Sequence, residues 1–401
     1  MGFGDRFRYA SAADIFREHA ALSAFENDGE RDFDIGALAR LSDDEFNALD
    51  SVQWPLRTDA PHSEKRFFAE GRFFTPDGRA NMVTVSAPQV QAASAEFPFR
   101  LNTGRVRDQW HTMTRSGLSP RLAHHMPEPF VEMHPDDAAA CGVLHNGFAR
   151  LRSAHGECIL KAVVSEGQQR GVLFAPIHWS HETASAARVG DLVTSATDPF
   201  SGQPDSKATP VSLKPVSYAF RGFALGRGDL ALPAESWWAR VTLAGGDGFL
   251  LASNEGPVAW RAWAKARFAG LEIAEYSDAP RGLYRAAAFA DGRLAGCLFI
   301  GPAEAAPQWD AVKALFEREA LGEAQRRAVL SGKSTEGLAD PGPLICACFG
   351  VGLNVIRAAI ESGEAVNVEQ IGAALRAGTN CGSCLPELKR IVSHKRAAQT
   401  A

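Results

Sequence analysis

The chain has no apolar run approaching the ~18 residues that a helix needs to cross a bilayer, which excludes a helical membrane anchor in this sequence. Its first residues, MGFGDRFRYASAADIF, lack the short apolar core of a secretory signal, so a cytoplasmic location is expected. There is no basic excess: the net charge is −5, which argues against nucleic-acid or membrane-surface binding. Low-complexity tracts are missing too. Cysteine is absent before Cys141, and the total of seven is odd. Four of them crowd the C-terminus, which fits a metal site better than a disulfide framework. At 401 residues the chain exceeds one ordinary core, so two or three domains are expected.

The C-terminal four are Cys346 and Cys348 in LICACFGVGLNVIRAAI, then Cys381 and Cys384 in GTNCGSCLPELKRIV. After Cys348, the spacing of Leu353, Ile356 and Ile360 predicts a helix that Gly363 ends. Asn367 followed by Gln370 is a capping-box signature for a second helix, with Val368, Ile371 and Leu375 as its apolar stripe and Gly378 as its stop. Pro386 suits the first turn of a third. Each cysteine pair is therefore expected at or just before a helix N-terminus, where free N–H groups favour thiolates. Four thiolates call for a cation. Zinc knuckles normally have two to four residues between cysteines, and Cys346–Cys348 has one, so an iron–sulfur cluster fits better; zinc and redox disulfides stay open.

Residues 341–398 resemble the bacterioferritin-associated-ferredoxin-like (BFD-like) [2Fe-2S] domain in the C-x-C and C-x-x-C pairs and the spacer between them. That resemblance assigns Cys346, Cys348, Cys381 and Cys384 as the metal ligands. The Gly/Pro-rich STEGLADPGPLI marks a linker near 331–343. Before it, GLYRAAAFADGRLAGCLFIGP reads as two strands around an Asp291-Gly292 turn, followed by helices in WDAVKALFEREAL and GEAQRRAVL. Cys297 reads as a buried thiol. The segment 216–335 distantly resembles the small C-terminal domain of pyridine-nucleotide-disulfide-type reductases, and no chemistry attaches to it.

Between residues 97 and 176, short apolar strands alternate with Gly, Pro and Asn turns, as in a β-barrel. HPDDAAACG interrupts them with a helix that Asp136 or Asp137 is expected to cap, while Cys141 and Cys158 read as core residues. Two loops are unusually polar. In LNTGRVRDQWHTMTRSG, Gly104 would let backbone N–H groups approach a ligand, and hydroxyls alternate with Arg105, Arg107, His111 and Arg115. In PIHWSHETASAARVGDLVTSATDPFSGQPDSK, His178 and Trp179 end a strand, and Gln203 and Lys207 sit in a Pro/Gly-rich return.

Taken together, LNTGRVRDQWHTMTR, EPFVEMHPDDA, FAPIHW and DPFSGQPDSK resemble the fourth domain of molybdopterin-dependent oxidoreductases, and with the cysteine quartet they look like assimilatory nitrate reductases. The resemblance implies an α+β, mainly β fold in four parts: residues 1–87 as the tail of the molybdenum-binding domain, 88–215 as a double-psi β-barrel for the dinucleotide, 216–335 as a small α+β domain, and 341–398 as a small helical cluster domain. It implies that Thr103, Gly104, Arg105, His111, Thr112, Thr114, Arg115, His178, Trp179, Gln203 and Lys207 line a molybdopterin guanine dinucleotide. Implied cofactors are a [2Fe-2S] cluster and a molybdenum bis(molybdopterin guanine dinucleotide).

Family members open with a C-x₂-C-x₃-C motif for a [4Fe-4S] centre and later supply a cysteine ligand to molybdenum; neither occurs here. No catalytic residue is therefore assigned, and the chain is expected to be a split subunit, a truncation or a fragment. A missing N-terminal half would carry the [4Fe-4S] centre and share the molybdenum cofactor. The implied partners are that half, nitrate, and a donor such as an NADH-dependent flavoprotein, a ferredoxin or a flavodoxin. A non-catalytic electron-transfer or cofactor-binding remnant, or part of a formate dehydrogenase, is the alternative. In the first segment, Ser11 and Asp14 read as a helix cap, with Ile15, Phe16, His19 and Ala20 as the packing face.

Overall fold

The computed structural model describes residues 2–61, 66–84, 91–199, 201–333 and 341–400, with side chains described through Ser393. Most of the expected linker at 331–343 lies outside the described residues. The chain divides into two units, Met1–Gln89 and Val90–Ala401.

In the first unit, helix α1 (Ala12–Ala24) starts with the expected box: Asp14 N–H donates to Ser11 Oγ, and the Asp14 carboxylate accepts from Ser11 N–H. The packing face differs from expectation. Ala13, Ala20 and Ser23 are buried, whereas Ile15 and His19 are exposed. Small residues bring α1 against the Gly36–Arg40 turn, and Gly36 allows the approach, because a Cβ there would lie 2.5 Å from the Ala24 methyl. A shorter helix, α2 (Asp43–Asn47), has its own box from Ser42 and Glu45.

The second unit begins with a closed six-stranded barrel. Its strands are β1 (Phe99–Gly104), β2 (Phe130–Met133), β3 (Phe148–Arg152), β4 (Glu157–Val164), β5 (Val172–Pro176) and β6 (Thr209–Val216). They run in the order β1-β5-β2-β4-β3-β6. β1 pairs parallel with β5 and β2 with β4, and the other neighbours are antiparallel. Alternation turns Leu101, Leu151, Leu160 and Leu173 inward, and all four are fully buried. Helix α3 (Pro120–Ala123) lies between β1 and β2, and α4 (Pro135–Cys141) follows β2. The cap of α4 is His134, whose Nδ1 accepts from Asp136 N–H, so neither Asp136 nor Asp137 caps it. Asp137 instead accepts from Gly171 N–H at 2.7 Å.

Next comes an antiparallel six-stranded sheet in the order β10-β11-β12-β7-β9-β8. It comprises β7 (Phe220–Gly226), β8 (Trp237–Leu243), β9 (Gly246–Ser253), β10 (Glu272–Asp278), β11 (Leu283–Ala290) and β12 (Arg293–Pro302). Helix α5 (Pro257–Arg267) covers one face through Trp260 and Ala264. Helices α6 (Asp310–Phe316) and α7 (Glu323–Val329) cover the other through Val312, Phe316 and Val329. Burial on both faces explains why β11 and β12 read as near-continuous apolar runs. Asp291 and Gly292 both adopt positive φ, the mirror-image turn that the DG pair signals.

The C-terminal region holds a two-strand ribbon, β13 (Leu344–Cys346) with β14 (Val351–Gly352), and then α8 (Leu353–Glu361), α9 (Val368–Leu375) and α10 (Leu385–Thr400). Asn367 caps α9 by accepting from Gln370 N–H, while Gln370 Oε1 reaches Val366 N–H rather than closing the box on Asn367. α9 stops at Arg376, which takes a left-handed conformation two residues before Gly378.

Candidate functional site

Cys384 immediately precedes α10. Cys346 and Cys348 do not sit at a helix start as expected; Cys346 ends β13 and Cys348 lies in the β13–β14 turn, ahead of α8. The fold nevertheless brings the four sulfurs together two by two. Cys348 Sγ lies 3.2 Å from Cys381 Sγ, too far for a disulfide, and Cys346 pairs with Cys384. Among the described residues, no three His, Cys, Asp or Glu side chains form one group able to hold a single ion. Paired sulfurs of this kind suit a binuclear centre better than a single tetrahedral ion.

The pairs differ in surroundings. The inner pair, Cys346 and Cys384, is 2% exposed at each residue and belongs to the domain core with Ile356, Ile371 and Leu388. Burial, and then the neighbouring Cys346, push the Cys384 thiol up to about 11. In the outer pair Cys381 is exposed. Hydrogen bonds from Asn380 and from the Cys381 N–H and side chain hold the Cys348 thiol below its ordinary range. Burial pushes the thiols of the other three cysteines, Cys141, Cys158 and Cys297, above the usual range.

The barrel loops form the second candidate region. Asp108, His111 and Met113 all take left-handed backbone conformations within one short loop after β1. Strain of that kind persists only where surrounding contacts fix it. His178 supplies them. It is fully buried, its Nε2 accepts from Val106 N–H at 2.9 Å, and its Nδ1–H donates to His111 O at 2.6 Å. Both ring nitrogens are committed, so His178 shapes the loop rather than lining a ligand site. Burial holds its pKa below the ordinary histidine value, in keeping with the neutral ring that this pattern needs. Gly104 also serves packing: a Cβ there would lie 2.8 Å from the Phe174 ring. Thr103 is 2% exposed and donates to Ser206 O at 2.7 Å, while Lys207 Nζ donates to Thr103 O. These bonds draw the 198–207 return onto β1.

A cavity of about 620 Å³ opens beside these loops, within the range of small-molecule sites. Of the expected residues, Thr112, Thr114 and Trp179 line it. Arg105, His111, Arg115 and Gln203 are exposed outside its lining, and Arg105 stacks on Trp110 with its guanidinium carbon 4.9 Å from the ring centre. Ser180, Thr183, Arg188 and Arg240 also line the cavity and were not singled out from sequence. Arg188 lies in a loop already recognised as polar; Arg240 lies on β8, far along the chain, with no local signal. Two guanidiniums and five hydroxyls, set against the one carboxylate of Glu182, fit an anionic nucleotide.

Two family descriptions match the chain: "Molydopterin dinucleotide binding domain" over residues 99–210, and "BFD-like [2Fe-2S] binding domain" over residues 344–394. A nitrate reductase from Klebsiella oxytoca is 38% identical over 99% of this chain and 45% of its own length. The assimilatory nitrate reductase catalytic subunit of Bacillus subtilis is 30% identical over 54% of this chain and 29% of its own. The F420-dependent formate dehydrogenase subunit alpha of Methanocaldococcus jannaschii is 27% identical over 54% and 29%. The chain thus spans less than half the length of these curated relatives. It is a homologue of nitrate reductases that carries a molybdopterin dinucleotide-binding domain and a BFD-like [2Fe-2S]-binding domain.

Proposed function

We propose that this chain is the cofactor-closing and electron-input portion of a cytoplasmic assimilatory nitrate reductase. The observation that carries this reading is the convergence of four cysteine sulfurs in two pairs, joined through Arg107 and Arg121 to the same barrel loop that borders the dinucleotide cavity. Cys346, Cys348, Cys381 and Cys384 would hold a [2Fe-2S] cluster. Thr112, Thr114, Trp179, Arg188 and Arg240 would bind part of a molybdopterin guanine dinucleotide, and Thr103 and Lys207 would order the neighbouring return. The barrel would be of the double-psi type, with residues 1–87 closing a preceding molybdenum-binding domain.

Bound molybdenum would supply the oxygen-atom chemistry that converts nitrate to nitrite. This chain's residues hold the nucleotide end and receive electrons at the outer cysteine pair, through exposed Cys381, from a flavoprotein, ferredoxin or flavodoxin. Among the described residues no helix is long and apolar enough to cross a membrane.

The test is metal analysis and reconstitution. Chain purified without air should hold about two irons and two labile sulfides, and should support viologen-dependent nitrite formation when a molybdenum-binding portion is supplied in trans. Stoichiometric zinc in a colourless protein defeats the cluster assignment. Formate-dependent dye reduction without nitrate reduction would replace the substrate by formate, the chemistry named for the methanogen relative.

A further inference from the structure

Arg107 lies in the barrel loop, yet its guanidinium is spent on the cysteine domain. Nη2 donates to Ile345 O at 2.9 Å, and Nη1 donates to Ser383 O at 3.5 Å and to the Glu387 carboxylate at 2.9 Å. Ile345 and Ser383 are the residues immediately before Cys346 and Cys384. One planar fork therefore grips both arms of the inner pair. A lysine, with one point charge, cannot reproduce that grip.

The fork is itself held from behind. Nη2 lies 2.5 Å from His125 Nε2. The Asp108 carboxylate, 8% exposed at its side chain, lies 3.3 Å from Arg107 Nε and 3.1 Å from His125 Nδ1. These contacts have the distances of ion pairs without the alignment of hydrogen bonds, so Arg107 Nε, Asp108 Oδ2 and His125 Nδ1 stay buried without a hydrogen-bond partner. Burial alone would raise the Asp108 pKa; the His125 and Arg107 contacts outweigh it and lower it. An ionised Asp108 at a left-handed backbone position thus aims Arg107 out of the barrel.

We propose that Arg107 is a positioning residue for the sulfur quartet. It fixes the inner cysteine pair against the dinucleotide-binding loop and raises the reduction potential of the group the quartet holds. The inference rests on the cluster reading above. Its physical basis is that the reduced cluster carries one more negative charge than the oxidised one, so a nearby guanidinium favours the reduced form. Glu387, ion-paired to the same guanidinium, acts with the opposite sign.

The test uses the full 401-residue chain with its cluster, titrated with dithionite and followed by electron paramagnetic resonance of the reduced form. Arg107→Met should lower the reduced-to-oxidised equilibrium about tenfold, a 59 mV shift for one electron. Glu387→Gln should move the potential the other way, which a merely structural role would not do. Shifts of the same sign in both variants, or none in either, would overturn the electrostatic half. Where Arg107→Met fails to load iron, Arg107→Lys takes its place: it should keep the parent potential but lose amide protection around 344–352 and 381–388 in hydrogen exchange. Iron in the parent is measured first, so failure of the cluster reading, seen as absent iron in the parent, is distinguishable from failure here. Parent-like exchange in Arg107→Lys would overturn the positioning half.

Discussion

The barrel and the cysteine domain solve the same problem, presenting polar chemistry from an apolar scaffold, in opposite ways. The barrel has a large core of its own, with Leu101, Met133, Leu151, Leu160 and Leu173 fully buried, and its reactive surface is a strained loop pinned by one buried histidine. Among the described residues the cysteine domain has a core of twelve buried residues, and two of those are the inner cysteines themselves. Its binding groups are part of its core. A ligand site added to a scaffold can be emptied without loss of the scaffold; a site that is the core cannot.

The contrast predicts, first and largest, that Cys346→Ser abolishes iron binding and removes the folding free energy of the C-terminal domain, on the order of 5 kcal/mol. Hydrogen exchange should show residues 344–393 losing protection while β1–β6 keep theirs. Equal protection in both regions would erase the distinction.

His178→Ala should give the reverse pattern. Two buried hydrogen bonds and a ring's volume are lost, for about 2–4 kcal/mol by denaturant unfolding. Iron content should stay at the parent value. Dinucleotide retention should fall, because Val106 and His111 lose their common anchor.

Acid sharpens the comparison. Burial, and then Lys313, lower the pKa of His124 to about 4, and its Nε2 has no partner. The unfolded chain therefore takes up this proton more readily than the folded one. The resulting stability is complete above pH 6.5 and falls through the window from 6.5 to about 4, by about 2–3 kcal/mol. His124→Gln should flatten that decline in the Val90–Ala401 unit, read as the parent-minus-variant difference at pH 7 and 4.5. A constant difference between the two pH values would reject the assignment.

The smallest effect is at a cap. Asn367→Ala removes the acceptor for Gln370 N–H and should lower cysteine-domain stability by about 1 kcal/mol. Denaturant melts of the metal-loaded chain should register it and leave the barrel transition in place.

The elements with local causes were legible in the sequence: the Ser11–Asp14 box, the Asp291-Gly292 turn, and the apolar stripes of α8 and α9. The cysteine quartet was legible because its spacing is local chemistry repeated twice. What sequence missed came from distance along the chain. Arg240 enters the cavity from β8, and Arg107 leaves its own loop for carbonyls beside Cys346 and Cys384. His178 and Gly104 stand in the two polar loops, but their roles are inward, because a polar loop needs internal anchors as much as ligand contacts. Ile15 and His19 were misplaced since helical period fixes which residues share a face, not which face is covered.

The segregation of cysteines by burial also makes the chain its own labelling reagent assay. A bulky maleimide meets Cys381 at the surface first, while Cys158 and Cys297 are shielded inside the barrel and the sheet. Dye uptake by the native protein above the level set by half-buried Cys141 would therefore report a vacated Cys381, turning metal occupancy into a colour on a gel.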